Sequence, residues 1–270
     1  MKNRLHTPTN SPGTTGLDRF CQPCPSDKLS ARTDMPIFHW TKGAVLNTSH
    51  TIEENNSGAR VVAADLNVSR PFEWALGESI NALAPRVKEH VLQSPGTVVV
   101  YRGRMRVWRD GGWRGTVAGW LMRIGVFANF LFPETGDEVD FELKHVVTRH
   151  EDCSLSMSWI RTFQFSGVRR KFHAMMCFHP QNGPIINWHG CWGLLEVELC
   201  PRVEGDAIVV VSRREWLTLG LLRIPLPKWL MGRPLVREWQ EPDGALHIRV
   251  EIHNSLLGHF FGYDGIYSKV

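Results

Sequence analysis

Two arginines stand among aromatic residues in the middle of this chain. In Leu155-Ser-Met-Ser-Trp-Ile-Arg-Thr-Phe-Gln-Phe165, alternation at period two puts Trp159, Arg161 and Phe163 on one face with Leu155, Met157 and Phe165. Ser166-Gly167 is a two-residue turn signal, so residues 168–178 are predicted to fold back antiparallel, with Phe165 opposite Val168. That register adds Val168, Arg170, Phe172, Ala174, Met176 and Phe178 to the same apolar face. A guanidinium in such surroundings is suited to holding an anion, because its planar fork matches a carboxylate. A buried, unpaired guanidinium is costly, so either an inward acid such as Glu238 or Glu134 neutralises the pair, or an anionic ligand does. The ligand-binding candidates are therefore Arg161, Arg170, Trp159, Phe163, Phe172 and Met176.

Other groups capable of chemistry are fewer. His145 shares an alternating face with Phe141 and Leu143 and could enter the interior near the arginines, which makes it the one weak catalytic candidate. A satisfied core histidine is the plainer reading. His173, His179 and His189 lie close in sequence, but His173 points away from the Arg161 face, so no metal site is expected from them. Cys21-Gln-Pro-Cys24 stands alone, without the two further ligands of a zinc site or the strand and helix of a redox motif. The chain contains no GxSxG elbow and no HExxH, and no cofactor is expected. Arg102, Arg104 and Arg106 alternate with Tyr101, Met105 and Val107; a solvated strand face explains them more simply than a phosphate ladder does.

These residues need a scaffold of strands. Residues 1–70 are rich in Thr, Asn, Ser, Pro and Gly and read as a disordered leader. Ile80, Leu83, Val87 and Val91 recur at helical spacing near 78–93, with Lys88, Glu89 and His90 between them, and Pro85 starts or kinks the regular helix. Residues 97–108 alternate as a strand. Residues 115–132 are apolar almost all round and are predicted to form a buried helix. Arg123 at the centre argues against a membrane span, at about 3 kcal/mol on insertion scales. From 137 onward strand follows strand: 137–147, the central hairpin, 184–189, 194–200, 206–216, 235–240, 246–254 and 260–267. A break at Ile224-Pro-Leu-Pro227 leads into a helical link through Trp229, Leu230 and Met231. In 194–200, Leu195, Val197 and Leu199 should face inward and Glu196 and Glu198 outward. The predicted fold is mainly β, an antiparallel up-and-down barrel or strongly curved sheet of about nine to ten strands, calycin-like, with one or two covering helices.

Composition narrows the class of partner. The chain has 270 residues, a net charge of +4 and 11 tryptophans, which fits a soluble globular protein with an aromatic core or pocket. No dense basic stripe is present, so no nucleic-acid partner is expected. The N-terminus has no apolar signal segment and the six cysteines show no repeated spacing, so a cytoplasmic location is expected, without stable membrane insertion.

Asn254-Ser-Leu-Leu-Gly-His-Phe-Phe-Gly-Tyr-Asp-Gly265, Trp159-Ile-Arg-Thr-Phe163 and Phe130-Leu-Phe-Pro133 together resemble a bacterial family of domains of unknown function, number 4166. The resemblance spans roughly residues 76–270 and implies a single β-rich domain there. It brings no established activity. Members of that family occur alone or behind a saccharopine-dehydrogenase-like nucleotide-binding domain. No GxGxxG follows a strand here, so the resemblance implies a nucleotide-binding redox partner encoded separately.

Three functions fit these residues. The first is a binding protein for a small apolar or amphiphilic, lipid-like molecule with an anionic head. The second is an isomerase or hydrolase acting on such a molecule. The third is a filled-barrel interaction module. Interior volume separates the first two from the last.

Overall fold

The computed structural model describes residues 70–110, 112–149, 155–178, 184–190, 193–227 and 232–270. The expectations for the leader, the Cys21–Cys24 pair, His179 and the link at 229–231 lie outside the described residues.

The described chain begins with three short helical pieces: α1 (Pro71–Leu76), a 3-10 segment (Gly77–Ala82) and α2 (Pro85–Val91). The single helix expected over 78–93 is thus divided. Pro85 starts α2, and Ala84 before it is held extended, because proline disfavours helical backbone in the preceding residue. The restart resets the helical phase, so α2 buries Val87, His90 and Val91. His90, expected on the polar side, points inward.

Eleven strands follow: β1 (Val98–Trp108), β2 (Gly136–Arg149), β3 (Leu155–Phe165), β4 (Val168–Phe178), β5 (Ile185–His189), β6 (Leu195–Glu204), β7 (Ala207–Leu219), β8 (Leu222–Pro225), β9 (Arg233–Gln240), β10 (Leu246–Asn254) and β11 (Gly258–Lys269). Ten of them close an antiparallel up-and-down barrel in the order β1-β2-β3-β4-β5-β6-β7-β9-β10-β11, with β11 back against β1. Closure leaves no long free edge, which is how an all-antiparallel sheet avoids unpaired backbone. β8 was not foreseen, since Ile224-Pro225 reads as a break. It is a short flap on β7, whose Ile208–Val211 segment pairs with β9 and whose Trp216–Leu219 segment pairs with β8.

The central hairpin has the predicted register, Phe165 opposite Val168 and Arg161 opposite Phe172, with Gly167 at a positive φ of 74° in the turn. Inside, Phe141, Phe163 and Tyr263 form an aromatic cluster with Phe132, at ring-centroid separations of 5.0–6.5 Å. The seam between β1 and β11 is tight. A Cβ on Gly103 would collide with the backbone oxygen of Ile266, so only glycine fits there.

The α1–α2 pieces close one end of the barrel. The Ala84 N–H donates to the carbonyl of Asp206 in the β6–β7 turn, and the Arg86 N–H to Gln240 Oε1 at the end of β9 (both 2.9 Å). The opposite end carries α3 (Gly112–Phe127), which follows β1. Here the expectation of a buried helix is corrected: Met122 is buried, but Trp120 is 61% exposed and Phe127 80%. An apolar circumference does not ensure burial when the helix lies outside a closed barrel and has only one side to pack. Past the end of the helix, Asn129 takes left-handed backbone at φ 50°, and the Phe130 N–H donates to the Gly125 carbonyl at 3.1 Å. The following residues, Leu131 and Phe132, are the ones that reach the core.

Glu196 and Glu198 also depart from the expected solvent position: both are buried. Arg223 of β8 clamps Glu196 through Nε at 2.9 Å, and Arg213 of β7 reaches Glu198 at 3.3 Å. Long arginine stems cover the acids while satisfying them. Outside, Arg102, Arg104 and Arg106 meet Glu142, Glu138 and Asp137 of β2 at 3.1–3.3 Å. No helix among the described residues is long and apolar enough to cross a membrane.

Candidate functional site

β3 positions the site. Its inward row runs Trp159, Arg161, Phe163, and the register places His145 and Leu143 of β2 beside Trp159 and Arg161 on one flank, with Ala174 and Phe172 of β4 on the other. Arg161 is 5% exposed. Its guanidinium carbon lies 5.1 Å from the centroid of Trp159 and 5.2 Å from that of Phe172. Aromatic faces attract a cation but accept few hydrogen bonds, and Nε and Nη1 of Arg161 have no hydrogen-bond partner among the described residues. A buried guanidinium with idle donors retains unused capacity to donate hydrogen bonds.

Arg161 borders a cavity of about 90 Å³. By the same measure one water needs roughly 10–15 Å³, so the barrel is neither hollow nor filled. Phe72 of α1, Phe130, Trp159, Phe172, Met176 and Val197 supply apolar wall. Phe72 lies parallel to Trp159, with centroids 6.4 Å apart. The polar lining includes Arg161, Asn187 and His189. The His189 ring stacks on Phe172 at 5.4 Å, and its Nε2 is 2.9 Å from Asn187 Nδ2, leaving Nδ1 without a partner among the described residues. Burial, reinforced by the Arg161 charge, lowers the His189 pKa to about 3, so the ring is neutral at pH 7. His189 and Asn187 were not singled out as ligand contacts. The signal for them is the alternation Ile185-Asn187-His189 along β5.

The two arginines do not meet on one anion. Arg170 stands opposite Phe163 but does not line the cavity. Glu134 takes its guanidinium with two hydrogen bonds, Nε to Oε2 at 2.8 Å and Nη2 to Oε1. That contact keeps the Glu134 carboxyl below its usual range despite partial burial. Phe163 is fully buried in the Phe132–Phe141–Tyr263 cluster, also away from the cavity. Trp159, Arg161, Phe172 and Met176 do share the cavity wall.

His145 belongs to a second, solid polar cluster under the α2 cap. Its ring is 5.2 Å from His90 and 5.6 Å from Trp159, and neither nitrogen has a partner among the described residues. Burial and then the neighbouring His90 and Arg161 lower its pKa to about 2. Glu238, the other acid expected to neutralise the arginines, is 4.0 Å from His90 Nε2, and Tyr267 lies beside it without reaching hydrogen-bond geometry. Burial raises the Glu238 pKa to about 7, against the pull of Tyr267 and Arg161. No ion pair joins Glu238 to Arg161. Among the described residues no three His, Cys, Asp or Glu side chains converge as metal ligands.

The model of a domain of unknown function, DUF4166, matches residues 83–266, more than half of the chain. The chain belongs to this family. In the DUF4166 domain the matched stretch contains the whole barrel apart from the final residues of β11, and it includes Arg161, Phe172 and His189. Phe72 and the rest of α1 lie just before it. A curated relative, the uncharacterized protein YndH of Bacillus subtilis (strain 168), is 31% identical over 151 residues, which cover 55% of this chain and 74% of YndH.

Proposed function

We propose that this DUF4166 domain is a binding protein for a small apolar molecule with an anionic head group, held inside the barrel with its charge on Arg161. The observation that carries this is the buried Arg161 guanidinium, with Nε and Nη1 unpartnered, in the wall of a cavity otherwise mostly apolar. A carboxylate suits it best. Such a head would accept the arginine donors, and Asn187 adds a polar contact at the same wall. The apolar body would lie against Phe72, Trp159 and Phe172.

The enzyme alternative has two supporting features at the cavity wall, the neutral His189 beside the arginine and the buried carboxylate of Glu215. The His189 pKa near 3 makes that ring a weak base at neutral pH, since a general base works best with a pKa near the working pH. Glu238 has a suitable pKa, near 7, but does not line the cavity. These features favour binding over turnover.

Native mass spectrometry of protein purified from its own source tests the reading. A retained small acid on the wild type, absent from Arg161→Met, is the expected result. An adduct that is neutral, or equally present on Arg161→Met, would overturn it.

A further inference from the structure

We propose that the barrel end opposite the α1–α2 cap docks on an anionic lipid bilayer surface. This concerns the outside of the barrel and does not depend on what the cavity holds.

The antiparallel order fixes which turns share that end. It carries α3 after β1, the β3–β4 turn, the β7–β8 turn, the start of β9 and the β10–β11 turn. Three of these elements present large apolar side chains to solvent. They are Trp120 and Phe127 on α3, Leu221 (89% exposed) and Leu222 around the β7–β8 turn, and Leu256 in the β10–β11 turn. Single exposed apolar residues are ordinary on a protein surface; a set gathered at one end from three elements is not.

Charge identifies the occupant. Arg123 on α3, Arg169 and Lys171 next to the β3–β4 turn, and Arg233 at the start of β9 are all exposed, and none has an ion-pair partner among the described residues. The acids at this end are already engaged: Glu134 by Arg170, Asp137 by Arg106, Glu138 by Arg104 and Asp110 by the His259 N–H. Apolar side chains including a tryptophan, ringed by free cations, match the interface of an anionic bilayer, where rings sit at headgroup level and arginines meet phosphates. α3 is too short and too dilute in apolar residues to span a bilayer, so the contact is one of surface docking.

The test is co-sedimentation of the full chain with extruded vesicles of phosphatidylcholine alone or mixed equally with phosphatidylglycerol. The wild type should pellet with the mixed vesicles, weakly or not at all with phosphatidylcholine, and less as salt is raised. The double variant Phe127→Asp/Leu221→Asp should reduce the bound fraction about tenfold, in line with losing two inserted side chains. Arg123→Glu/Arg169→Glu, which leaves the apolar set intact, should abolish the preference for phosphatidylglycerol. Thermal melts of each variant confirm folding. No binding by the wild type, equal binding by the Asp variant, or a dimer that the Asp variant splits would overturn the proposal, the last by making a second copy the partner.

Discussion

The guanidinium of Arg161 faces the ring of Phe172, its cross-strand partner, at 5.2 Å, with no carboxylate in ion-pair contact among the described residues. Nine positions along the hairpin, Arg170 has the opposite arrangement, gripped by Glu134 and away from the cavity. The same residue type in the same inward row therefore serves two purposes, and the difference lies in what the strand opposite or the connecting segment supplies.

Substitution should separate those purposes. Arg170→Met leaves Glu134 partly buried without its partner and should cost about 1–3 kcal/mol, the range for a lost charged hydrogen-bonded pair. Arg161→Met removes a buried charge that no carboxylate among the described residues contacts, and stability should change by less than about 1 kcal/mol or rise. Urea melts of the two variants measure this. A loss of about 3–5 kcal/mol for Arg161→Met would mean that an internal acid depends on it.

Stability should fall in mild acid. His90, His145 and His189 have folded pKa values near 3, 2 and 3, below the ordinary 6.5, so their contribution is present above about pH 6.5 and is lost as pH falls toward 3. Glu238, raised from 4.5 to about 7, acts in the other direction: it destabilises as pH rises from 4.5 to 7. Three histidines outweigh one acid, so the net slope between pH 6 and 5 should approach about 3 kcal/mol per unit, at about 1.4 kcal/mol per proton. Melting temperature against pH checks the sign. Glu238→Gln should raise stability at pH 8 and steepen the acid loss below pH 7. A flat profile from pH 7 to 5 would contradict the burial of these rings.

The barrel was legible from the chain because alternation survives wherever one face is wet: β1, β2 and the β3–β4 hairpin have the expected faces and register. Two features were not. Helical periodicity shows which residues are apolar but not whether a surface is available to cover them, so α3 was expected inside. Pairing also overrides pattern: Glu196 and Glu198 look solvent-facing until Arg223 and Arg213 cover them. At the site, Trp159, Arg161, Phe172 and Met176 could be found by period two along one hairpin. Alternation along β5 puts Asn187 and His189 on one face, but Phe72 and β5 are separate in sequence from the hairpin, and no local spacing shows that all of them reach the same cavity.

Phe72 ties α1 to the barrel interior. It is fully buried, lines the cavity and lies parallel to Trp159. Phe72→Ala should cost about 3 kcal/mol, the low end for an aromatic truncation, because part of its surroundings is already cavity. It should also weaken ligand retention without altering charge selectivity. A melt indistinguishable from wild type would mean that the α1 cap contributes nothing to the closed barrel.

The most direct test of the anion-binding account is a thermal-shift comparison of apolar carboxylates with their own amides. Benzoate, phenylacetate and octanoate, each beside its neutral amide, present the same apolar body with and without the charge. At least one acid should raise the melting temperature of the wild type in a concentration-dependent way, as a ligand binding only the folded state must. Its amide should not, and Arg161→Met should respond to neither. Acid and amide stabilising equally, or Arg161→Met responding like the wild type, would contradict the account.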